Sequence, residues 1–270
     1  MGLVYNVRIN IRGYTATQSQ KITKLVRFNR IMAALHFLQG VAMVLLSKNF
    51  TLPIQANFLS FDVKTQSLVP ATKTLFDLPL AWLVAGFLFM SAAAHLIIST
   101  IYKKRYEKGL KQGINRARWI EYSISASTMM VAIALLVGIY DAGLLIAIFA
   151  LTAVMNLLGL VMEIHNQTTQ KTNWVSYIVG CISGIVPWIV VALYFWSAAQ
   201  YGDGKIPDFV YWIYVSIFIF FNCFAINMIL QYKKWGKWSD YLYGERAYII
   251  LSLVAKSLLA WQVFAGTLRP

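Results

Sequence analysis

Residues 247–264 read AYIILSLVAKSLLAWQVF and contain a single charged side chain, Lys256. A bilayer core is crossed by about 20 mostly apolar residues in a helix, so this stretch predicts a membrane span. Lys256 lies about 12 residues from the start of that helix, or about 18 Å at 1.5 Å per residue, close to the bilayer midplane. That depth is too great for the side chain to snorkel to either surface. The amine must therefore be paired with a partner, deprotonated or covalently modified.

The rest of the chain is equally apolar. Of its 270 residues 59% are hydrophobic and only 13% are charged, with a mean hydropathy of +0.61, whereas soluble domains are about a quarter charged. Seven spans are predicted, with the last around Lys256: 28–47, 78–102, 116–138, 142–163, 174–199, 207–232 and 245–266. The sequence thus predicts an all-α membrane protein built as one seven-helix bundle, not a soluble protein.

Two segments lie outside the spans. The long loop 48–77 combines patches of apolar and polar alternation with turn residues, which predicts a short β-hairpin on the membrane surface. Residues 1–24 are polar and form either a flexible tail or an amphipathic surface piece. We therefore divide the chain into a tail, 1–24, and a membrane domain, 25–268.

The basic residues predict the orientation. The net charge of +14 comes from Lys and Arg clustered beside apolar spans, where they mark the cytoplasmic face rather than a nucleic-acid interface. The N-terminal tail and the second, fourth and sixth loops carry 18 of them, and the opposite side carries five. This ratio predicts a multi-pass protein of the cell membrane with a cytoplasmic N-terminus and an extracellular C-terminus, the reverse of ion-pumping microbial rhodopsins.

Glu121 is the natural partner of Lys256. Both lie inside spans that run outward from the cytoplasm, and an unpaired charge in a low-dielectric core is expensive. A Schiff base with an aldehyde would consume the amine and leave a nitrogen whose charge depends on such a carboxylate. Two alternatives remain open at this point. The pair can be a structural bridge, or Glu121 can snorkel to the headgroups.

Other polar side chains fall near this pair. Ser252 and Ser125 lie one helical turn from Lys256 and Glu121 on the same faces. His36 and His95 fall in the cytoplasmic half and suggest a cluster able to hold or shuttle a proton. By contrast, we interpret the acids at the span ends as solvated helix termini: Asp141, Glu163 and Glu245. No metal site is predicted.

Some aromatic residues, such as Trp188 and Phe221, fall deep in the spans, where they either pack as ordinary core residues or line a flat apolar slot that could hold a polyene. The chain at this point resembles the heliorhodopsins over essentially the whole bundle. The motifs are RWIEYSISAS (118–127), GIVPWI (184–189), FFNCFA (220–225) and GERAYIILSLVAKS (244–257). Ser252 stands four residues before Lys256, where ion pumps typically carry aspartate, and the inverted orientation is a family trait.

The resemblance implies roles for these residues. Lys256 would bind all-trans retinal as a Schiff base, with Glu121 as the counterion and Ser252 and Ser125 in its hydrogen-bond network. His36 and His95 would accept the proton. The implied retinal pocket contains Met155, Asn156, Gly159, Trp188, Phe221 and Asn222, although Asn156 stands where an apolar residue is expected.

The resulting hypothesis is a light-sensing photoreceptor, not an enzyme. Light would isomerise retinal from all-trans to 13-cis in a slow photocycle without net ion pumping, because the outer half of the bundle has no deep ionisable residue. The partners would be the lipid bilayer, a second copy in a homodimer supported by the long loop, and an unidentified cytoplasmic signalling protein. The alternatives are a light-gated or light-driven ion (proton) conductor, and a transporter or interaction protein without chromophore.

Overall fold

The computed structural model describes residues 16–202 and 206–270, and these include seven helices long and apolar enough to cross a membrane. The elements follow in the order α1 Ala16–Leu46, β1 Thr51–Asp62, β2 Ser67–Pro79, α2 Leu80–Ser99, α3 Lys103–Lys111, α4 Arg116–Leu136, α5 Ala142–His165, α6 Val175–Tyr201, α7 Asp208–Tyr232, a 3-10 turn Gly236–Ser239, α8 Tyr241–Val263 and a π turn Phe264–Leu268. The predicted all-α membrane bundle with a β-hairpin is confirmed.

The helix bounds differ from the predicted spans mainly at two places. Helix α1 begins at Ala16 rather than near residue 28, so part of the predicted polar tail is helical. The second loop contains the short helix α3, whose Tyr106 and Leu110 are buried against Ile22 and Leu25 of α1. Both differences arise because a helix can form outside the apolar core of the bilayer. A search for long apolar stretches does not detect such a helical segment. Residues 1–15 of the predicted tail lie outside the described residues.

The β-hairpin occupies almost the whole of the first loop. Its strands pair antiparallel from Thr51 opposite Pro79 to Asp62 opposite Ser67, with one irregularity between Ile54 and Gln55. Near its base, Leu52 and Ile54 are buried in the same apolar core as α2 and α4. The hairpin is therefore attached to the bundle at its base and projects beyond it.

The two ends of the bundle differ in chemistry. We call the end where α1, α4, α6 and α8 begin the basic end, and the opposite end the hairpin end. The largest cluster of buried apolar residues reaches from the middle of the bundle to the hairpin end and includes Leu80, Phe87, Ile133 and Val263. Every buried Lys, Arg, Glu and His of the described residues lies at the midplane or toward the basic end.

Asp141 connects the hairpin to α5. Its carboxylate caps the helix by accepting a hydrogen bond from the backbone N–H of Leu144 (2.9 Å), and it also accepts from the side-chain amide of Asn57 (3.0 Å) and from its backbone N–H (3.3 Å). The prediction of a charge at a helix terminus is therefore correct for this residue. These hydrogen bonds, first that from Leu144, hold the pKa of Asp141 below its ordinary value of 3.8.

Protonation of Asp141 should loosen the base of the hairpin. Because the pKa is lower in the folded chain, the stabilisation is fully present above pH 3.8 and is lost as the pH falls through the folded pKa. Asp141→Ala should cost about 1 kcal/mol at neutral pH by removing the cap. Hydrogen exchange at the backbone N–H of Gln55, which donates a hydrogen bond to the carbonyl of Tyr140, measures the effect. Asp141→Asn keeps a capping oxygen and should remove only the pH dependence; unchanged exchange in Asp141→Ala would contradict the role.

Candidate functional site

Lys256 lies in the interior of the bundle, about two thirds of the way along α8, with 3% of its side chain exposed. Its Nζ donates to Oε1 of Glu121 at 2.6 Å and to Oγ of Ser252 at 3.0 Å. Ser252 is one turn earlier in α8, so the helix itself places its hydroxyl beside the amine. The Nζ also lies 5.2 Å from the centre of the Tyr122 ring. The amine is thus enclosed by one carboxylate, one hydroxyl and one aromatic face.

Glu121 comes from α4 and is almost as deeply buried, with 9% of its side chain exposed. Its Oε1 also accepts a hydrogen bond from Oγ of Ser91 in α2, at 2.7 Å. A buried ion pair needs such additional hydrogen bonds to offset the cost of removing both charges from water. Glu121 is therefore held by α2 and α8 together and does not snorkel to the headgroups.

A narrow cavity of about 50 Å³ opens beside the amine of Lys256. Its lining is mostly apolar and aromatic, contributed by α4, α5, α7 and α8: Tyr122, Ser125, Ala126, Met129, Met155, Asn156, Phe221, Phe224, Ser252, Ala255 and Lys256. The hydroxyl of Ser125 is buried there without a hydrogen-bond partner among the described residues. The cavity thus has an amine and the buried hydroxyl of Ser125, which lies near the Glu121 carboxylate, at its wall and apolar surfaces elsewhere.

Two histidines stack on the basic-end side of the ion pair. The rings of His36 in α1 and His95 in α2 are 5.6 Å apart and nearly parallel, with 7° between their planes. Nδ1 of His95 shares a 2.6 Å hydrogen bond with Oδ1 of Asn29. His36 is fully buried, and neither of its ring nitrogens has a partner among the described residues. A neutral imidazole in this state can take up a proton without first breaking a hydrogen bond.

A second, smaller cavity of about 20 Å³ joins these groups. It is bordered by Glu121, His95, Arg118 and Glu245, among others. This volume is enough for about one water molecule, and the wall supplies the two to four polar partners that a buried water needs. The cavity therefore lies between Glu121 of the ion pair and His95, the histidine that borders it.

Arg118 forms the other wall of this small cavity and makes two buried ion pairs. Its guanidinium donates to Glu163 of α5 and to Glu245 of α8, and it lies over the ring of Tyr248 at 4.0 Å. Asn115 adds its backbone N–H to Glu163 at 3.0 Å and its side-chain amide to Glu245 at 2.6 Å. We call Arg118, Glu163 and Glu245 the acid–arginine cluster.

The interpretation of Glu163 and Glu245 as solvated helix termini is wrong. Both carboxylates are buried, as is Arg118. The ends of α4, α5 and α8 converge at the basic end, so charges at three separate span ends meet in one dehydrated cluster. Because two carboxylates face a single guanidinium, hydrogen bonds from Asn115 and from Tyr241, at 3.2 Å, compensate the excess negative charge.

The family-level comparison bears on the whole bundle. A model of the heliorhodopsin family matches residues 25–268. The chain belongs to the heliorhodopsin family. Comparison with curated proteins finds no match. The family is one of light-sensing membrane proteins rather than conventional enzymes, which supports a photoreceptor of the microbial-rhodopsin type, and the family implies a retinal chromophore bound to a lysine.

The lining of the cavity beside Lys256 suits the retinal that membership of the heliorhodopsin family implies. An aldehyde needs an amine that it can reach, and Lys256 supplies the amine that lines this cavity. A polyene needs an apolar slot, which Phe221 and Phe224 provide. The slot is narrow, at about 50 Å³, and Met129 and Met155 on its walls are unbranched side chains that can adopt other rotamers.

Of the predicted pocket residues, Met155, Asn156 and Phe221 line the cavity. Asn156 is accommodated because its side-chain amide donates back to the carbonyl of Thr152 at 2.9 Å. Trp188 is buried one layer away, with its ring 5.4 Å from that of Phe221. This heliorhodopsin thus has an aromatic second layer behind its cavity wall.

Two predicted pocket residues lie elsewhere. Asn222 is exposed on the surface of α7, where its amide donates to the carbonyl of Phe218 at 2.8 Å. Gly159 is buried, and a Cβ built there would lie 2.5 Å from the ring of Trp119. Gly159 therefore allows α4 and α5 to approach closely through Trp119, and the structure brings neither residue to the cavity lining.

Sequence reasoning missed four residues that complete the site of this heliorhodopsin: Ser91, Asn29, Tyr122 and Arg118. A signal existed for Ser91, because it lies four residues before His95 and hence on the same face of α2. Tyr122 follows Glu121 directly and carried no signal of its own. Arg118 lay three residues before Glu121, but nothing in the sequence distinguished it from the exposed Arg116 beside it.

Proposed function

We propose that the chain is a light sensor in which Lys256 binds retinal as a Schiff base and Glu121 is the counterion. The observation that carries the proposal is the 2.6 Å contact between Lys256 Nζ and Glu121 Oε1 in the interior of the bundle. When bound, retinal supplies absorption of visible light and an isomerisation from all-trans to 13-cis. The remaining steps depend on residues of the chain itself.

Glu121 and Ser252 hold the proton at Nζ in the dark. The carboxylate compensates the positive charge, and the hydroxyl of Ser252 gives the nitrogen a second neighbour at 3.0 Å. Ser91 fixes the carboxylate from α2. Ser125 lies near the Glu121 carboxylate in the same cavity and can stabilise that carboxylate when it rotates.

His36 and His95 receive the proton when light breaks the contact with Glu121. The two rings are stacked, and His36 has both nitrogens free. The small cavity between Glu121 and His95 supplies the path. Beyond it, Arg118 repels a proton moving toward the surface, so the charge stays beside the ion pair and returns to it slowly.

This arrangement supports sensing rather than transport. Among the described residues, the hairpin half of the bundle has no buried ionisable side chain from which a proton could be supplied. A light-driven proton conductor, the alternative function, needs carriers on both sides of Lys256. The output is instead a conformational change of the basic end, where Tyr241 connects Glu163 to a polar surface groove of about 300 Å³. We propose this groove as the contact site for a cytoplasmic signalling partner.

The orientation and the assembly belong to the same proposal. The excess of Lys and Arg at the basic end supports a cytoplasmic N-terminus. Arg118 is buried and does not contribute to this surface excess. The hairpin has several exposed apolar side chains, including Phe58, Leu59 and Phe61. Such a patch on a projecting hairpin supports a homodimer on the extracellular side.

Reconstitution with all-trans retinal tests the chromophore. The purified apoprotein should develop a visible absorption band, and its absence would overturn the proposal. In Glu121→Gln the band should convert to an ultraviolet form at a lower pH than in the unsubstituted chain, because a neutral amide no longer stabilises the protonated nitrogen. A pH titration of the spectrum measures this. Asp208→Asn, a carboxylate change at the far end of the bundle, is the control and should leave the titration unchanged.

Illumination of vesicles tests the absence of transport. Chains reconstituted in one orientation should give no sustained change of external pH in light and no photocurrent under voltage clamp. A light-driven proton pump in the same vesicles provides the positive control. Steady net transport would reject the sensor function in favour of the light-driven conductor. The assignment of Lys256 as the retinal-binding residue would not be affected.

A further inference from the structure

A groove of about 380 Å³ lies between the first turns of α1 and the start of α8 at the basic end. It belongs neither to the Lys256 cavity nor to the acid–arginine cluster. Its rim and its floor have different chemistry, and this difference points to the kind of molecule that it binds.

The rim of the groove is cationic. Lys24 and Arg27 of α1 and Arg246 of α8 border it. None of the three has a carboxylate within 4 Å among the described residues. Lys21 differs because it is bound to Asp240 at 2.7 Å, a contact that joins α1 to the start of α8. The rim therefore carries three uncompensated positive charges.

The floor of the groove is apolar. Leu25 and Leu242 are buried beneath it, Phe28 is partly buried, and Ile31 is 50% exposed at its deeper end. Lys24, Phe28 and Ile31 follow at the spacing of one helical face. Ile31 lies about 10 Å further along α1 than Lys24, at 1.5 Å per residue. The groove thus passes from cationic to apolar in the direction of the bilayer core.

We propose that this groove binds an anionic phospholipid, with the phosphate at Lys24, Arg27 and Arg246 and an acyl chain along Phe28 and Ile31. Basic pockets on the cytoplasmic side of membrane helices favour anionic headgroups, because Lys and Arg near the surface attract the negative charge of the phosphate. A zwitterionic lipid would satisfy the floor but not the rim. Residues 1–15 are a poor occupant, because they carry Arg8 and Arg12 and no acidic residue.

A lipid in this position would touch α1 and α8 together. The Lys21–Asp240 contact already joins these helices, and the phosphate would add a second bridge through Arg246. The lipid would therefore stabilise the packing of α8, the helix that carries Lys256, whether or not the chain binds retinal.

Native mass spectrometry of the detergent-purified chain tests the proposal. Dioleoyl phosphatidylglycerol should bind at least about tenfold tighter than dioleoyl phosphatidylcholine, as expected for three rim cations. The triple variant Lys24→Gln, Arg27→Gln, Arg246→Gln should reduce phosphatidylglycerol binding to the level of phosphatidylcholine. Lys104→Gln, Arg105→Gln, Lys108→Gln removes the same charge from exposed positions of α3 and should leave binding within about twofold.

The proposal would be overturned by equal binding of the two lipids, by equal loss in both triple variants, or by full competition by millimolar inorganic phosphate, which would indicate a free-anion site. Tighter binding of an acidic peptide than of phosphatidylglycerol would also reject the lipid in favour of a protein segment. Ile31→Gln separates the floor from the rim. It should weaken both lipids equally, and unchanged binding of both would exclude the acyl-chain contact.

Discussion

Lys256→Ala should abolish the visible band that all-trans retinal produces with the unsubstituted chain. The amine is the nucleophile of the Schiff base, and it is the lysine among the described residues that lines the cavity beside Tyr122 and Phe221. Exposed lysines lack both a neighbouring buried carboxylate and an apolar slot, so they cannot replace it. Absorption spectra after incubation with retinal, followed by borohydride trapping and peptide mapping, measure the result.

Controls must separate loss of the linkage from loss of the fold, because alanine leaves Glu121 as an uncompensated buried charge. Lys256→Arg retains a cation for Glu121 but forms no Schiff base under these conditions, so it should fold and lack the band. The double variant Lys256→Ala, Glu121→Gln removes both charges and should also lack it. Ser252→Ala should keep a band, shifted in wavelength. Retinal trapped by borohydride reduction on any other lysine would refute the assignment.

Arg118→Gln should destabilise the chain by about 3–5 kcal/mol, the cost of breaking a buried ion pair by removing one partner. Without the guanidinium, Glu163 and Glu245 face each other as two buried carboxylates held only by Asn115 and Tyr241. The free energy of unfolding in mixed detergent micelles, or the thermal midpoint, measures the loss. The lost stability should come from weaker packing of α4, α5 and α8 against one another at the basic end.

Arg116→Gln is the matched control, because this arginine lies two residues earlier on the exposed side of α4. This substitution should change the free energy of unfolding by no more than about 0.5 kcal/mol. The triple variant Arg118→Gln, Glu163→Gln, Glu245→Gln has no buried charge left in the cluster and should recover a large part of the lost stability. Equal effects of the two arginine substitutions would show that the acid–arginine cluster is not a structural element.

Much of the fold could be predicted because a bilayer imposes simple rules. Seven apolar stretches of sufficient length require seven helices, and the alternation in 48–77 predicted the hairpin. The extent of the hairpin and the early start of α1 were not predictable from hydropathy. Both involve residues outside the apolar core, where strand pairing and packing of Tyr106 and Leu110 against α1 decide the structure.

The partnership of Lys256 and Glu121 was predictable for a different reason. Charges are rare at membrane depth, so two of opposite sign restrict the choice of partner more strongly than in a soluble protein. The acid–arginine cluster offered no such signal. Its members lie at span ends, where charges are ordinary, and only the convergence of three helices buries them.

Seven membrane-crossing helices and the need of Lys256 for a partner in the interior could be read from the amino-acid pattern, since hydropathy and the cost of a buried charge act on each span separately. The packing of the helices sets which groups surround that amine. It brought Ser91 to Glu121, stacked His36 on His95, buried Arg118 with two acids and turned Asn222 outward. These outcomes depend on the rotation and close approach of neighbouring helices, which side-chain packing sets and which the pattern along one helix does not contain.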